Sequence, residues 1–255
     1  MNLLLVRFSK LKSVFSPSPY NVCPPAMTAH NTTFSSAAIV GGGPAGLMAA
    51  EVLSQAGVRV DLYDAMPSVG RKFLLAGKGG LNLTHAEPFA DFMTRYGSKQ
   101  NYIEPWLEGF SPQRLRDWAS ELGVETFIGS SQRVFPLEMK AAPLLRAWLR
   151  RLRGAGVKIH PRHRWCGWDD QQALVFSTTE NKTSVNADVV ILALGGGSWA
   201  KLGSDGKWLP LLAQQGIAIT PLQPANCGFE VNWSDYFRDR FAAEPLKSVR
   251  LSFSD

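Results

Sequence analysis

The sequence of 255 residues predicts an α/β fold with a parallel sheet. One observation is the order of strand, glycine turn, helix and second strand over residues 37–64. Another is the fully apolar run 189–194, which continues directly into glycines. A strand without polar residues is typical of a parallel sheet that is covered on both faces. A hydrophobic content of 45% is ordinary for a globular protein, so we expect a packed core.

The segment 37–64 has the pattern of a Rossmann-like, dinucleotide-binding unit. Three glycines at the spacing G-x-G-x-x-G follow the first apolar strand. Gly41 permits the tight turn, Gly43 lets the backbone approach a pyrophosphate, and Gly46 lets the helix pack closely on the sheet. Asp64 ends the second strand, 18 positions after Gly46. This is near the distance at which an acidic residue meets a ribose hydroxyl.

The remaining residues of the turn, Gly42, Pro44 and Ala45, lead into the helix. The first N–H groups of a helix and the positive end of its dipole attract a phosphate. The alternative is an ordinary tight turn between a strand and a helix. That alternative leaves the acidic residue at the end of the second strand unexplained.

Two further segments are rich in glycine. Residues 70–85 contain the cations Arg71 and Lys72 and then the glycines Gly77, Gly79 and Gly80. Such a loop can place backbone amides against an anionic or planar ligand. A flexible surface loop is the alternative, although the apolar run Phe-Leu-Leu inside it suggests burial. The glycines after the strand 189–194 are expected to bring backbone to the same ligand.

Helices and an antiparallel meander are predicted between these segments. Ser111-Pro112 begins one helix and Gly123 ends it, and a second helix extends from about Ala142 to Gly154. Their apolar stripes include Trp118 and Trp148, which we expect in the core. Strand-like segments at 157–166, 173–177 and 183–194 predict a meander whose last strand enters the main sheet. A short helix with Trp208, Leu211 and Leu212 follows.

The sequence predicts three regions. Residues 1–33 are expected to be a disordered tail, with Met27 as an alternative start. Residues 34–220 are expected to form the Rossmann-like domain, including the meander 157–186. Residues 221–255, which end in one lone strand-like segment at 248–254, are expected to begin an inserted, incomplete domain.

Composition excludes several classes of function. Cys23, Cys166 and Cys227 are far apart, which argues against a disulfide framework, a zinc site and a dithiol redox centre, and favours a reducing cytosol. The net charge of +6 is concentrated between 146 and 164, but no nucleic-acid recognition motif accompanies it. No apolar run is long enough to span a membrane. His160 and His163 lack ligand-type neighbours in sequence and are interpreted as a solvent-facing pair on a strand.

The glycine segments taken together resemble a bacterial flavoprotein family, the NAD(P)/FAD-dependent oxidoreductases of the aminoacetone-oxidase-like type, which include a bile-acid dehydro-intermediate reductase. The resemblance extends from about Ala37 to the C-terminus and is carried by the segments 41–51, 70–85, 133–141 and 193–206. One departure lies at 76–82, where many relatives have Ser-Gly-Gly-Gly-Arg-Cys-Asn and this chain has Ala-Gly-Lys-Gly-Gly-Leu-Asn.

The resemblance implies a set of FAD-binding residues. It implies that Gly41, Gly43, Gly46 and Asp64 hold the ADP half of FAD. It also implies that a second group lies along the pyrophosphate, the ribityl chain or the flavin ring, namely Arg71, Lys72, Gly77, Gly79, Gly80 and Asn82. Gly195 and Gly196 correspond to the segment that follows the last strand in such folds.

The resemblance implies an FAD-dependent oxidoreductase that passes electrons between NAD(P)H or an organic substrate and an acceptor. Full members of the family continue into a C-terminal segment that completes the flavin site, so the sequence predicts a fragment that binds FAD weakly. An NAD(P)-dependent dehydrogenase and a non-catalytic FAD-binding module are the alternatives. No catalytic residue is identified, although Lys78 and His85 lie near the expected flavin loop. We expect a small-molecule substrate.

Overall fold

The computed structural model describes residues 5–8, 34–76, 79–223, 232–242 and 244. The chain divides into two compact units, Met1–Leu222 and Gln223–Asp255. The division lies two residues from the boundary at 220/221 that the sequence predicts. The strand-like segment at 248–254 lies outside the described residues. No helix in the described part of the chain is long and apolar enough to cross a membrane.

Within the described residues, the main sheet has five strands in the order β1-β11-β2-β3-β7. The strands β2, β3, β7 and β11 are parallel, and β1 pairs antiparallel with β11 at the edge. Their bounds are Leu5–Phe8 (β1), Ser36–Val40 (β2), Arg59–Tyr63 (β3), Lys158–His160 (β7) and Val189–Leu192 (β11). Neighbours of β2 on both sides are therefore strands that come later in the chain.

The part of the chain that the structure describes also contains two small antiparallel sheets. The first has the order β4-β6-β5, with β4 at Thr84–His85, β5 at Thr126–Ile128 and β6 at Arg133–Pro136. The second is the meander, in the order β10-β9-β8. Its strands are Arg164–Trp168 (β8), Leu174–Ser177 (β9) and Lys182–Val185 (β10).

Helices connect and cover the strands. The helices of the first unit are Pro44–Gln55 (α1), Arg71–Ala76 (α2), Phe89–Thr94 (α3), Gln100–Gly109 (α4), Pro112–Glu121 (α5), Ala141–Gly154 (α6) and Trp208–Ala213 (α7). Short 3-10 turns lie at Gly97–Lys99 and Ala200–Leu202. In the second unit, α8 spans Asp235–Phe241, and Ser234 caps it by accepting a hydrogen bond from the Phe237 N–H.

The core consists of two apolar layers on the two faces of the main sheet. Along β2, Ala37 and Ile39 belong to one layer, and Ala38 and Val40 belong to the other, as the alternation of side chains along a strand requires. Helices α1, α5 and α6 cover the first face, and the meander with α7 covers the second. The α/β fold with a parallel sheet is thus as the sequence predicts, because a strand buried on both faces must be apolar throughout.

Four details differ from the sequence prediction. Leu5–Phe8 form β1, although they lie in the segment 1–33 that the sequence predicts to be disordered. Arg71–Ala76 form α2 rather than a loop. The segment 157–166 is divided between β7 of the main sheet and β8 of the meander, because Arg162 adopts a left-handed conformation with φ of 59°. The segment 183–194 is likewise divided, into β10 and β11.

Candidate dinucleotide-binding site

A cleft of about 420 Å³ lies at the carboxyl ends of β2, β3 and β11. In an open parallel sheet, ligands bind at the carboxyl ends of the strands. The binding crevice lies where the strand order reverses, because there the connections from two neighbouring strands lead in opposite directions. The residues predicted from the sequence that line the cleft are Gly41, Gly42, Gly43, Pro44, Ala45, Asp64, Arg71, Lys72, Gly195 and Gly196. The fold therefore brings three segments together that are up to about 150 residues apart in sequence.

Gly41 is required by the turn itself. Its φ is +109°, a conformation that side chains with a Cβ rarely adopt, and a Cβ there would overlap the backbone carbonyl of Ala193. The Gly41 N–H donates to the Tyr63 carbonyl at 2.8 Å. The turn thus passes between β3 and β11 with no room for a side chain.

Gly43 has a different environment. Apart from its two chain neighbours, no residue in the described part of the chain has an atom within 4 Å of the position that a Cβ would take, and its φ of −79° is open to any residue. It precedes α1, whose first N–H groups have no intrahelical partner, as in any α-helix, and no side-chain cap occupies them. The space above Gly43 is therefore open to a ligand that these groups can bind.

Gly42 and Gly46 fix the turn against its surroundings. A Cβ on Gly46 would overlap the Gly41 carbonyl oxygen, so this glycine lets α1 start close to the turn. A Cβ on Gly42 would overlap Val69, and the Gly42 carbonyl accepts a 2.8 Å hydrogen bond from the Gly70 N–H. The glycine turn is thereby joined to the start of α2.

Asp64 lies half-buried at the end of β3 and orders the loops around it. One carboxylate oxygen accepts from the Gly42 N–H at 2.7 Å, and the other accepts from the Met66 N–H at 2.7 Å. Burial raises the pKa of this carboxyl above its usual value, against the effect of these hydrogen bonds and of the nearby Arg164 and Arg71. Each oxygen retains acceptor capacity for a sugar hydroxyl.

Two cations from α2 lie at the cleft. The Lys72 ammonium donates to the Ser198 hydroxyl at 2.7 Å, which connects α2 with the glycine segment after β11. Arg71 lines the cleft, and its Nε is buried without a hydrogen-bond partner among the described residues. These positive side chains suit an anionic ligand.

The glycine segment after β11 forms another wall. Gly195 has a φ of +72°, and the buried Ser204 hydroxyl donates to the Gly196 carbonyl at 2.9 Å. The segment 202–205 thereby folds back over the glycines and contributes to the cleft. None of the residues 202–205 was predicted as a site residue from the sequence, because their position depends on a turn that brings Ser204 back to Gly196.

The start of the meander also lines the cleft and was not predicted from the sequence. The His163 N–H donates to the Asp64 carbonyl at 2.9 Å, and the Arg162 N–H donates to the Met66 carbonyl at 3.0 Å. Arg164 forms an ion pair with Asp205 at 3.4 Å. The loop between β7 and β8 is thus held beside the acidic end of β3.

The sequence predicts that His160 and His163 face the solvent, whereas in the structure both side chains are partly buried. The His160 ring bonds to Asp61 at 2.7 Å between Nε2 and Oδ1, and it stacks on Tyr63 with ring centroids 4.6 Å apart. Phe176 stacks on Tyr63 with a centroid distance of 4.3 Å. Burial and the nearby Asp61 raise the pKa of Tyr63 to about 12, so its hydroxyl stays protonated at neutral pH. Topology explains the difference, since β7 pairs with β3 and brings these rings together.

Some predicted residues lie away from the cleft. Gly79, Gly80 and Asn82 are not among the residues that line it, and a Cβ on Gly80 would lie 2.6 Å from the Met139 side chain. Gly77 and the catalytic candidate Lys78 lie outside the described residues. The other candidate, His85, lines a separate cavity of about 590 Å³ beside α4 and α5.

Three buried side-chain nitrogens lack a hydrogen-bond partner within the described part of the chain, namely Arg71 Nε, Trp165 Nε1 and Trp208 Nε1. All three residues line the cleft. Each of these atoms is a donor, and buried donors are normally paired. Together with the open Gly43, they fit a ligand that is rich in acceptor atoms.

Comparison with known proteins identifies the family. The model of the HI0933-like protein Rossmann domain matches residues 35–232. The chain belongs to the HI0933-like family of FAD-binding Rossmann proteins. The resemblance to a flavoprotein oxidoreductase family that the glycine segments predict is thereby confirmed.

A curated relative is the 3-dehydro-bile acid delta(4,6)-reductase of Clostridium scindens. It is 29% identical to this chain over 189 residues, which are 73% of this chain and 45% of that protein. The chain therefore spans less than half the length of this relative.

Some solved structures match part of this chain. The 3-ketosteroid-delta4-(5alpha)-dehydrogenase of Rhodococcus jostii RHA1 is 18% identical, with a TM-score of 0.45 over 67% of this chain and 48% of that one. The open conformation of a flavocytochrome c3 fumarate reductase is 17% identical, with a TM-score of 0.43 over 64% of this chain and 34% of that one.

Proposed function

We propose that this chain binds FAD in the cleft at the carboxyl ends of β2, β3 and β11, as the nucleotide-binding part of an FAD-dependent oxidoreductase. Membership of the HI0933-like family supports the cofactor, and the cleft supports the place. The whole enzyme is proposed to act on a small organic substrate, with NAD(P)H as the electron donor, in the cytoplasm. The bile-acid reductase relative supports a reductase rather than a binding module.

The observation that carries the proposal is the open space at Gly43. At Gly41, Gly42 and Gly46 a Cβ would overlap a neighbouring atom, so the fold itself accounts for these three glycines. At Gly43 no described residue other than its two chain neighbours has an atom within 4 Å of that position, and the backbone conformation is ordinary. A pyrophosphate that approaches the backbone at this point requires the space that glycine leaves.

The surrounding residues have distinct roles in this proposal. The N-terminus of α1 binds the pyrophosphate through its free N–H groups, and Arg71 and Lys72 add positive charge from α2. Asp64 accepts hydrogen bonds from the adenosine ribose while it holds the turn through the Gly42 N–H. Gly195 and Gly196 bring backbone to the other wall of the cleft.

FAD, when bound, supplies two-electron transfer to and from organic molecules. The chain contributes binding and orientation and excludes water along the buried floor of the cleft. The sheet edge fixes where the cofactor lies, because the glycine turn and the loop 64–66 are tied to each other by hydrogen bonds.

A titration of the purified, cofactor-free chain with FAD tests the proposal. FAD fluorescence reports binding, and NAD⁺ and NADP⁺ are titrated in parallel. We expect saturable FAD binding that Gly43→Val abolishes, because two methyl groups would occupy the space of the pyrophosphate. The variant should keep the circular dichroism and melting temperature of the parent. Preferential binding of NAD⁺ would favour an NAD(P)-dependent dehydrogenase, and FAD affinity unchanged by Gly43→Val would refute the site.

A further inference from the structure

Glu51 is a buried carboxylate that the proposed binding site does not use. It lies on α1, two turns after the glycine turn, and is 4% exposed. Burial of a charge is costly unless partners surround it. Here most of the donors come from α5 and α6, and Gln55 of α1 adds a longer hydrogen bond of 3.4 Å from its Nε2 to Oε1.

The carboxylate accepts hydrogen bonds from two indoles and a guanidinium. Trp148 Nε1 donates to Oε2 at 2.5 Å, and Arg151 Nη1 donates to Oε1 at 2.9 Å. Trp118 Nε1 lies 3.2 Å from each oxygen. Trp148 and Arg151 belong to α6 and Trp118 to α5, so one side chain connects three helices.

Helix α6 also contacts the start of α2. A Cβ on Gly70 would lie 2.6 Å from the Leu145 side chain of α6, so Gly70 rests directly on that helix. Arg71 and Lys72 follow at once and line the cleft. Thus α6 supports α2 through Leu145 and supports α1 through Glu51. The amino ends of α1 and α2 form the two sides of the proposed pyrophosphate site.

We propose that Glu51 is a positioning residue for cofactor binding: through Trp148 and Arg151 it fixes α1 on α6, and thereby fixes the separation between the amino ends of α1 and α2. This inference rests on the proposed function of the cleft. Glu51 itself does not contact the cofactor. Its effect is on affinity, because binding groups that are displaced by a fraction of an ångström lose their geometry.

The variant Glu51→Gln removes the arrangement with little change in volume. A carboxylate has acceptor sites on both oxygens, whereas a carboxamide has one oxygen and an NH₂ group that donates. Whichever way the amide is oriented, its NH₂ faces an indole N–H or the guanidinium of Arg151. Two facing donors repel, so α1 must move away from α5 or from α6.

The experiment compares FAD affinity among folded variants, well below their melting temperatures. Glu51→Gln is expected to weaken FAD binding about tenfold. The control is Leu152→Ala, which creates a cavity at a fully buried position of α6 that donates nothing to Glu51. This control should lower the melting temperature and leave FAD affinity within about twofold of the parent, since the folded state stays fully populated.

A second variant keeps the test decisive if Glu51→Gln does not fold. Trp148→Phe retains an aromatic ring and removes the donor to Oε2, and it is expected to weaken FAD binding by a smaller factor. FAD affinities that are equal in the parent and both network variants would overturn the inference. An equal loss in Leu152→Ala would also overturn it, because the effect would then follow stability. A folded parent chain that binds no FAD refutes the proposed function, and the inference fails with it.

Discussion

Gly41 and Gly43 lie two positions apart in the same turn, and a side chain is disfavoured at each position for a different reason. At Gly41 the backbone has a positive φ, and a side chain would overlap the Ala193 carbonyl. At Gly43 the backbone is ordinary and the adjacent space is open. The fold requires the first glycine, and the proposed ligand requires the second.

Gly41→Ala should therefore destabilise the protein even without cofactor. The left-handed conformation and the overlap with Ala193 should together cost about 2 kcal/mol or more in free energy of unfolding. Gly43→Ala is the matched control and should cost about 1 kcal/mol or less, because alanine is a poorer helix N-cap than glycine but meets no overlap here. Urea denaturation of both variants measures the difference. Equal losses would show that the open space at Gly43 is not real.

Because of Asp64, the stability of the ligand-free protein and its affinity for FAD should change in opposite directions with pH. Its pKa in the folded chain is raised above the ordinary value of 3.8 by burial. Because the folded state then binds the proton more tightly than the unfolded state, the contribution of Asp64 to stability increases as the pH falls through the raised pKa toward 3.8. FAD affinity should decrease over the same range, because a protonated carboxyl accepts ribose hydroxyls less well.

FAD titrations between neutral and mildly acidic pH measure this effect, with Asp64→Asn as the control. The variant should bind FAD more weakly at neutral pH and with little pH dependence, since its amide does not titrate. Its NH₂ would also face the N–H of Gly42 or Met66, which weakens the turn. A pH profile identical in the parent and the variant would remove Asp64 from the ribose site.

At the scale of elements, Asp188 joins the amino ends of β2 and β11. Its Oδ2 accepts from the N–H and the hydroxyl of Ser35, at 3.0 and 2.7 Å, and from those of Ser36, both at 3.0 Å. These bonds, led by that of the Ser35 hydroxyl, lower the pKa of Asp188 from 3.8 to about 2. The junction holds the ends of the two strands opposite to the cleft.

Asp188→Ala should lower the melting temperature at neutral pH and should remove one step from acid denaturation. Since the pKa in the folded chain is depressed, the stabilisation by Asp188 is complete above the unfolded value of 3.8. It is lost as the pH falls through about 2. Denaturation curves across this range, compared with those of Asp170→Ala at an exposed turn, measure the contribution. If the stability of the parent and that of Asp188→Ala changed in parallel as the pH falls, the proposed stabilisation by Asp188 would be contradicted.

At the scale of the whole molecule, every residue that lines the cleft belongs to the unit Met1–Leu222. The glycine turn, α2, the start of the meander and the segment 202–205 are all contained in it. FAD binding should therefore be a property of the first unit.

A chain that ends at Leu222 should accordingly fold and bind FAD with an affinity within about threefold of the 255-residue chain, a difference below 1 kcal/mol. Calorimetry and the same fluorescence titration compare the two chains. A much larger loss would show that residues after Leu222 support the cleft. The effect of the Glu51 variants on FAD binding would then have to be measured in the 255-residue chain.

Local sequence determined a substantial part of this protein. The strand, glycine turn, helix and second strand over 37–64 are specified by hydrophobic patterning and by glycines within one short segment. The burial of Trp118 and Trp148 follows from the spacing of apolar residues on their helices. These features could be read from the chain because each depends on residues within a few turns of one another.

Tertiary structure decided which segments meet. The strand predicted over 157–166 divides at Arg162, so that β7 joins β3 and the start of β8 lines the cleft. Glu51 accepts hydrogen bonds from Trp118 and Arg151, which lie 67 and 100 residues away in the sequence. The periodic spacing of apolar residues within a helix or strand does not predict such contacts, because they arise from strand order and from helix packing across the sheet. The sequence therefore determined the glycine turn of the proposed nucleotide site, and the packing of distant elements decided how the rest of that site surrounds it.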